Sequence, residues 1–377
     1  MPVVFKNTKQ AQPLAHLQSN TEMSTKPLVF VTGASGYIGS VVVHELLKAG
    51  YPVRGSARGR KVAQVQAAFA PYGAQFEAVE IADVASSDYT QALKGVGAIL
   101  HTAAPVPGRA DFETAWKTSV DGSVHILRAA KDAGIQKVVV TGSIVSFPSV
   151  EQAKFGPSDW VQVTKEEAAN GNIFMQYTAQ KKYGELAVLK FAEENPDMDI
   201  TIFNPTWVFG PLAPGFEAIV PSPEGAFSTF SSNGFVYQLL RADNKNYPYP
   251  PGSIDVRDVA RIHIAALTAP TPNGQRIRRV VIASPYDSGF REAIGYIHDE
   301  RPELRGRLAD AGSVPALEQY RLHGVDFTVL ERDFGFAVSE FRTWKETVVD
   351  AVDRFVEVEE SWKAKGFVFE VPKEPPV

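Results

Sequence analysis

The sequence contains no cysteine, which excludes disulfide bonds, thiolate zinc sites and a cysteine nucleophile. Its seven histidines are scattered without the spacing of metal ligands, so no metal site is expected. No apolar run approaches the roughly 20 residues that span a bilayer. A net charge of −5 gives no reason to expect nucleic acid or an anionic membrane surface as a partner.

The first 25 residues are polar and rich in Gln, Asn, Lys and Ser. They lack the apolar centre of a signal peptide, and the absence of arginine disfavours a transit peptide. We interpret residues 1–25 as a flexible surface extension and expect a cytoplasmic protein. The hydrophobic fraction of 44% is that of a globular chain with a sizeable core.

A glycine turn follows a short apolar strand that begins at Leu28. Gly33, Gly36 and Gly39 are spaced G-x-x-G-x-x-G, and an amphipathic helix is predicted over residues 37–48. Glycine permits a tight turn, backbone contact with a pyrophosphate and close packing of helix on strand. The helix N-terminus offers free N–H groups and a positive dipole end to phosphate. The pattern therefore indicates a dinucleotide site, with an ordinary tight turn of an α/β sheet as the alternative.

The second predicted strand, residues 53–58, indicates which dinucleotide is bound. An acidic residue about 20 positions past the turn would bind the ribose of NAD, whereas arginine accommodates the 2′-phosphate of NADP. The chain has no acid there and offers Arg58, Arg60 and Lys61. A guanidinium can donate two parallel hydrogen bonds to phosphate, so NADPH is the expected cofactor. A solvated basic start of a helix is the alternative.

Strands and helices alternate along the rest of the chain. Further strands are predicted over residues 75–80, 97–101, 137–142, 199–203 and 279–283, and helices over 110–133, 173–194, 254–267 and 341–358. Six or seven strands alternating with helices predict an α/β fold: a doubly wound parallel Rossmann sheet with a smaller mixed α/β substrate-binding lobe. A long irregular stretch, residues 144–172, separates the predicted strand 137–142 from the predicted helix 173–194. It is predicted to be functional.

Residues 212–252 shift in composition to Pro, Gly, Ser and aromatics, which marks part of the lobe. We expect an NADP-binding domain over residues 26–204 and 252–285, and the substrate-binding lobe over 205–251 and 286–377. Asp83 is interpreted as an acceptor for the adenine amino group or as the N-cap of a helix starting near Ser86. His101 is expected to be a core histidine, because it lies within a strand.

Tyr177 and Lys181 are spaced four apart on a predicted helix, so both side chains project from one face. A tyrosine has an unperturbed pKa near 10, and a neighbouring ammonium lowers that pKa by favouring the phenolate. Reduction of a carbonyl needs a proton donor, because hydride arriving at carbon leaves negative charge on oxygen. Ser143, 34 residues upstream at a strand end, could hydrogen-bond the same oxygen. The alternative is a packing tyrosine beside a solvated lysine.

The chain resembles the extended short-chain dehydrogenase/reductases, and within them the group of dihydroflavonol reductase, cinnamoyl-CoA reductase and fungal methylglyoxal/carbonyl (aldehyde) reductases. The likeness covers residues 28 to about 267 and is looser beyond. It rests on T-G-A-S-G-Y-I-G (32–39), S-A-R (56–58), A-D-V (82–84), H-T-A-A-P (101–105), T-G-S (141–143), Y-T-A-Q-K-K-Y-G-E (177–185), N-P-T-W-V-F-G-P (204–211) and I-D-V-R-D-V-A (254–260).

The resemblance implies Ser143, Tyr177 and Lys181 as the catalytic set, with Lys181 also holding the nicotinamide ribose. It implies cofactor contacts from the glycine turn, from the strand ends and from the backbone near the carboxamide: Gly33, Ser35, Gly36, Tyr37, Ile38, Gly39, Arg58, Lys61, Asp83, Val84, Ala103, Pro205 and Val208. The substrate would face Val106, Phe147, Phe174 and Trp207, for each of which core packing is the alternative. The family usually has T-S-S where this chain has Thr141-Gly142-Ser143.

We therefore expect an NADPH-dependent reductase of ketones or aldehydes, acting on a hydrophobic or aromatic small molecule as a monomer or homodimer. One alternative is a nucleotide-sugar epimerase or dehydratase with tightly bound NAD, against which Arg58 argues. Another is an NADP-binding regulator without catalysis, which would typically lack the Tyr177–Lys181 pair.

Overall fold

The computed structural model describes residues 26–105, 108, 110–148, 155–250, 252–271, 276–315 and 322–373. Within them seven strands form a central sheet and two more form a short second sheet. The strands are β1 Leu28–Thr32, β2 Val53–Ala57, β3 Phe76–Glu80, β4 Val96–His101, β5 Lys137–Thr141, β6 Asp199–Pro205, β7 Trp207–Phe209, β8 Ser253–Asp255 and β9 Ile277–Ile282. The α-helices are α1 Tyr37–Lys48, α2 Lys61–Ala68, α3 Phe112–Asp132, α4 Lys165–Ala169, α5 Ile173–Glu194, α6 Phe216–Ile219, α7 Ala226–Thr229, α8 Gly234–Gln238, α9 Val256–Thr268, α10 Phe290–Glu300, α11 Thr328–Phe334 and α12 Trp344–Ala364.

The central sheet is parallel throughout and has the order β3-β2-β1-β4-β5-β6-β9. Strand order reverses between β1 and β4, and the crevice at the carboxyl end of such a reversal is where doubly wound sheets bind ligands. The predicted doubly wound parallel Rossmann sheet is confirmed.

Helices cover both faces of the sheet, and strands such as β1 and β5 are accordingly almost continuous apolar runs. Successive residues of β1 show this: Val29 and Val31 belong to one core cluster, which includes α1 and α9, whereas Phe30 belongs to another, which includes α3 and α5. Because successive side chains of a strand point to opposite faces, one strand supplies both cores.

Local signals set the ends of the long helices. The Asp111 carboxylate accepts from Thr114 N–H at the start of α3, and Asn172 caps α5 in the same way. After α3, Gly134 adopts φ +73°, the left-handed conformation that commonly ends a helix.

Short elements differ from the sequence predictions. The stretch 144–172 contains α4, which a Thr164–Glu167 capping box starts. Residues 254–255 lie in β8 rather than in the following helix, because Asp255 accepts from Arg257 N–H as its N-cap. The residues after Asp83 form a turn instead of a helix. The last long helix begins and ends later than predicted, at Trp344 and Ala364.

Residues beyond β6 build a second aromatic-rich region in which α12 packs against chain more than 100 positions earlier. The rings of Phe230 and Tyr237 lie 5.1 and 4.8 Å from that of Phe355. Trp362 Nε1 donates to the Val220 carbonyl at 2.7 Å, and Tyr237 Oη donates to Glu359 at 2.9 Å. These contacts match the expected lobe, whose residue boundaries stay a prediction.

Of the helices in the described ranges, none combines the length and apolar character needed to cross a membrane.

Candidate active site

The glycine turn between β1 and α1 is closed by backbone contacts that only glycine allows. Gly33 has φ +73°, and a Cβ there would lie 2.9 Å from Ala103 Cα. A Cβ on Gly39 would lie 2.2 Å from the Gly33 carbonyl oxygen. Gly36 precedes α1 without a side-chain cap, and the first turn of α1 carries no acid. The half-buried Ser35 and Ile38 flank this helix end, whose N–H groups suit a pyrophosphate.

Tyr37 faces the interior instead of lining the turn with its side chain. It is 4% exposed, and its hydroxyl donates to the Gly210 carbonyl at 3.1 Å. Burial raises the pKa of this phenol well above its usual value. The side chain therefore ties α1 to the segment after β7, which leaves only the Tyr37 backbone for the predicted pyrophosphate contact.

Basic side chains surround the end of β2, as the sequence predicted. Arg58 and Arg60 are exposed, and Lys61 is the half-buried first residue of α2. Glu80, at the end of the neighbouring β3, accepts from Gly59 N–H at 3.1 Å. The sequence interpretation did not include this carboxylate.

Asp83 uses both carboxylate oxygens locally. Oδ1 accepts from Ala85 N–H at 2.9 Å and Oδ2 accepts from the Ser86 hydroxyl at 2.6 Å, which together lower the pKa of Asp83. The helix-cap interpretation was wrong because no helix follows, and the side chain stabilises a turn instead. The carbonyl of the adjacent Val84 accepts from the Tyr89 hydroxyl. Contacts of Asp83 and Val84 with the cofactor stay a prediction.

The end of β4 is fixed by Thr32 and His101. Thr32 Oγ1 accepts from the N–H groups of Thr102 and Ala103, each at 3.1 Å, and lies 2.8 Å from His101 Nδ1. Thr32 therefore donates to a neutral imidazole. Burial lowers the pKa of His101 to about 4, which agrees with the predicted core histidine.

Lys181 brings the predicted catalytic residues of α5 to the end of β5. Its Nζ donates to the Thr141 carbonyl at 3.2 Å and approaches the Gly142 carbonyl at 3.5 Å, directly before Ser143. The same Nζ lies 5.9 Å from the centroid of the half-buried Tyr177 ring. Lys182 is turned away and donates to the Val163 carbonyl at 2.9 Å. Of the two lysines, Lys181 alone joins the tyrosine to the serine-bearing strand.

His263 of α9 supports that strand end from the opposite face. Its Nδ1 lies 2.8 Å from the Val259 carbonyl, to which it must donate, so Nε2 accepts from Thr141 Oγ1 at 2.9 Å. Burial lowers the pKa of His263 to about 4, so the ring is neutral. Thr141 therefore makes two hydrogen bonds here: its hydroxyl donates to His263, and its carbonyl accepts from the Lys181 ammonium.

Ser143 is surrounded by a buried polar group that the sequence analysis did not identify. Its N–H donates to Glu185 Oε1 at 3.1 Å, and its carbonyl accepts from Asn204 Nδ2 at 3.1 Å. Glu185 pairs with Arg279 Nε at 2.9 Å, and the two side chains are 3% and 1% exposed. The sequence does contain one signal for this polar group, namely Arg279 within a buried strand. A fully buried charge needs a partner, so the arginine indicates a buried acid nearby.

The predicted substrate residues fall into different environments. Phe147 is 2% exposed, and its ring lies 3.6 Å from the Arg279 guanidinium carbon, so it packs in the core rather than facing a ligand. Phe174 is 62% exposed at the start of α5. Trp207 is half-buried beside Phe235, with the rings 5.5 Å apart. Val106 lies outside the described residues.

The backbone expected to meet the carboxamide follows β6. Pro205 ends that strand and is buried, and the Val208 carbonyl accepts from the Ser232 hydroxyl at 2.7 Å. Both predicted contacts are therefore buried, and the Val208 carbonyl already has a partner within the protein. Over the described ranges, no group of three or more His, Asp or Glu side chains is arranged to hold a metal ion.

Comparison with known proteins identifies the family of the chain. The model of the NAD dependent epimerase/dehydratase family matches residues 29–283, more than half of the chain. The chain belongs to this family, which confirms the extended short-chain dehydrogenase/reductase resemblance.

Several of the similar proteins are fungal reductases. A ketoreductase of Penicillium roqueforti is 30% identical over 69% of this chain and 77% of its own length. The NADPH-dependent methylglyoxal reductase GRE2 of Saccharomyces cerevisiae is 26% identical over 88% of this chain and 98% of its own. The crystal structure of Gre2 from Candida albicans in complex with NADPH matches with a TM-score of 0.70 and 26% identity, covering 88% of this chain and 99% of that one.

Proposed function

We propose that the protein is an NADPH-dependent carbonyl reductase that converts a ketone or aldehyde to an alcohol. The observation that carries the proposal is the position of Lys181, whose Nζ joins the Tyr177 ring to the carbonyls preceding Ser143. The ketoreductase and methylglyoxal reductase relatives support the same reaction class.

The nicotinamide, when bound, supplies the hydride that adds to the carbonyl carbon. Tyr177 donates the proton to the oxygen as negative charge develops there, and Ser143 donates a hydrogen bond that orients that oxygen. The Lys181 ammonium lies 5.9 Å from the centre of the Tyr177 ring, and its hydrogen bond to the Thr141 carbonyl holds it at the strand end that carries Ser143.

The cofactor-binding residues fit a dinucleotide phosphate. The uncapped start of α1 and the glycine backbone at Gly33 and Gly39 would hold the pyrophosphate, and Arg58 with Arg60 would hold the 2′-phosphate. The relatives that bind or use NADPH support this choice. The hydrophobic character of the substrate, the oligomeric state and the cytoplasmic location stay predictions.

Replacing Tyr177 tests the reaction. Tyr177→Phe removes the proton donor but keeps the ring, so we expect kcat to fall by a factor of about 100 or more. Tyr183→Phe is the matched control: it lies on the same helix, and its hydroxyl makes one 3.5 Å contact with the Val163 carbonyl. The measurement is loss of NADPH absorbance with an α-keto ester, an aromatic ketone, an aliphatic aldehyde and a dihydroflavonol.

The result expected is oxidation of NADPH well above NADH, abolished by Tyr177→Phe and retained by Tyr183→Phe. Tight binding of NADPH without turnover of any panel member would contradict the broad reductase assignment and favour a regulator. NAD that co-purifies with the protein would favour the epimerase.

A further inference from the structure

Arg279 of β9 is buried between two aromatic rings. Its guanidinium carbon lies 3.6 Å from the ring centroids of both Phe147 and Trp160. Burial lowers the pKa of this guanidinium, while Glu185 opposes the effect. A guanidinium is planar and weakly hydrated, so it can stack on ring faces while its edge donates hydrogen bonds.

The edge of the Arg279 guanidinium contacts three different parts of the chain. Nε donates to Glu185 and Nη2 donates to Ser146 Oγ, each at 2.9 Å. Nη1 donates to the carbonyls of Pro157 and Asp159, at 3.3 and 2.7 Å. One side chain thereby links the catalytic helix α5, the turn after Ser143 and residues 155–161, which we call the clamped segment.

The clamped segment also directly contacts residues 143–147, which we call the serine turn. Val161 N–H donates to the Ser146 carbonyl at 3.0 Å, and Phe155 packs against Phe147 with ring centroids 5.8 Å apart. The Ser146 hydroxyl donates to Glu185 Oε2 at 2.9 Å, and Glu185 Oε1 accepts from Ser143 N–H. The path from Arg279 to Ser143 therefore passes through two hydrogen-bonded side chains and no solvent-exposed group.

We propose that Arg279 is a positioning residue that acts through Glu185 and Ser146 to hold Ser143, and that it fixes the clamped segment against the serine turn. The kinetic part of this inference rests on the proposed carbonyl reductase activity. The structural part concerns the order of the serine turn and can be measured without turnover.

Removal of both charges gives the sharpest test. Arg279→Met alone leaves the buried Glu185 without its counter-charge and is expected to destabilise the fold. The double variant Arg279→Met/Glu185→Gln removes the charge pair and keeps a carbonyl oxygen for Ser143 N–H. We expect the double variant to bind NADPH with a Kd within twofold of the wild type, and its kcat to fall about 10- to 100-fold, because small misplacements of catalytic groups are costly.

Arg278 provides a matched control on the same strand. It is 5% exposed, pairs with Asp199 at 2.8 Å, and lies over the Phe334 ring, away from the serine turn. Arg278→Met/Asp199→Asn removes this buried charge pair together with the contact of Asp199 to Lys137. A purely structural role for Arg279 predicts that both double variants lose stability and keep kcat, whereas the positioning role predicts a loss of kcat in the Arg279 pair alone.

Amide hydrogen exchange separates this inference from the proposed function. We expect residues 143–147 and 155–161 to exchange at least tenfold faster in the Arg279 double variant, with β1 unchanged. Unchanged exchange, or a kcat within twofold of the wild type, overturns the inference. If the wild type reduces no carbonyl, the proposed function fails, and exchange alone decides whether Arg279 holds the turn.

Discussion

Gly142 stands where the resembling family usually has serine, and its surroundings explain the difference. A Cβ at this position would lie 2.5 Å from Asn204 Nδ2, 2.7 Å from Glu185 Oε1 and 2.9 Å from Ile202 Cγ2. The first two atoms belong to the buried polar group around Ser143. A side chain at position 142 would therefore clash with the polar group that surrounds Ser143.

Gly142→Ser is expected to destabilise the protein by about 1–3 kcal/mol, because the added atoms overpack a buried site. It should also lower kcat by displacing Ser143. The measurement is urea unfolding together with steady-state kinetics. The control is Gly295→Ala within α10, where a Cβ meets no atom within 4 Å and helix propensity favours alanine. A Gly142→Ser protein as stable and active as the wild type would contradict this account.

At this scale, spacing and residue type predict Ser143, Tyr177 and Lys181 as the catalytic set. The structure places the Lys181 ammonium between the Tyr177 ring and the carbonyls that precede Ser143, and the catalytic roles stay a prediction. Glu185 lies within a recognised motif, but nothing in that motif indicates that its carboxylate accepts from Ser143 N–H. Such a contact depends on which face of β9 carries Arg279, and that is decided by the register between β6 and β9.

The elements β2, β3 and α2 meet at the proposed 2′-phosphate site, where charges of both signs occur. The Glu80 carboxylate accepts from Gly59 N–H beside the exposed Arg58 and Arg60. A carboxylate near a bound phosphate repels it, and the repulsion is partly screened by salt.

Glu80→Gln is expected to tighten NADPH binding by about fivefold, equivalent to roughly 1 kcal/mol, and to leave NADH binding unchanged. The measurement is the Kd of each cofactor by fluorescence titration at low and high salt, and the effect should shrink at high salt. Glu77→Gln is the control, because Glu77 also lies on β3 but pairs with Arg54 at 2.8 Å. Equal tightening of NADPH and NADH would show that the 2′-phosphate does not lie near Glu80.

Long elements were predictable because their signals are local. Apolar runs marked the buried parallel strands, and α5 begins and ends at the predicted residues 173 and 194. The short β8 and α4 were missed, because their formation depends on pairing with β7 and packing on α5 rather than on a periodic pattern.

For the molecule as a whole, two buried neutral histidines make the stability of the fold decrease in acid. Burial lowers the pKa of both His101 and His263 to about 4. Because the folded pKa lies below the unfolded value of about 6.5, each histidine contributes its full stability above about pH 6.5. That contribution is lost as the pH falls towards 4. Burial raises the pKa of Asp258 to about 6, which acts in the opposite direction: that contribution is complete below the unfolded pKa of about 4 and is lost as pH rises through 6.

The free energy of unfolding is therefore expected to fall between pH 7.5 and pH 5, with each histidine contributing about 2 kcal/mol of loss. His263→Gln should reduce the difference between the two pH values, and Asp258→Asn should increase it. The measurement is urea unfolding of the three proteins at both pH values. Parallel pH dependence in all three would show that neither group titrates as its burial implies.

The packing of α12 on Phe230 and Tyr237 has a consequence for synthesis on the ribosome. Phe230 and Phe355 are separated by about 125 residues, which take about 6–25 s to translate at 5–20 residues per second. During that interval the apolar surface around Phe230 and Tyr237 lacks the helix that covers it. The nascent chain is therefore expected to need chaperone protection for this region after the strands β1 to β6 have emerged.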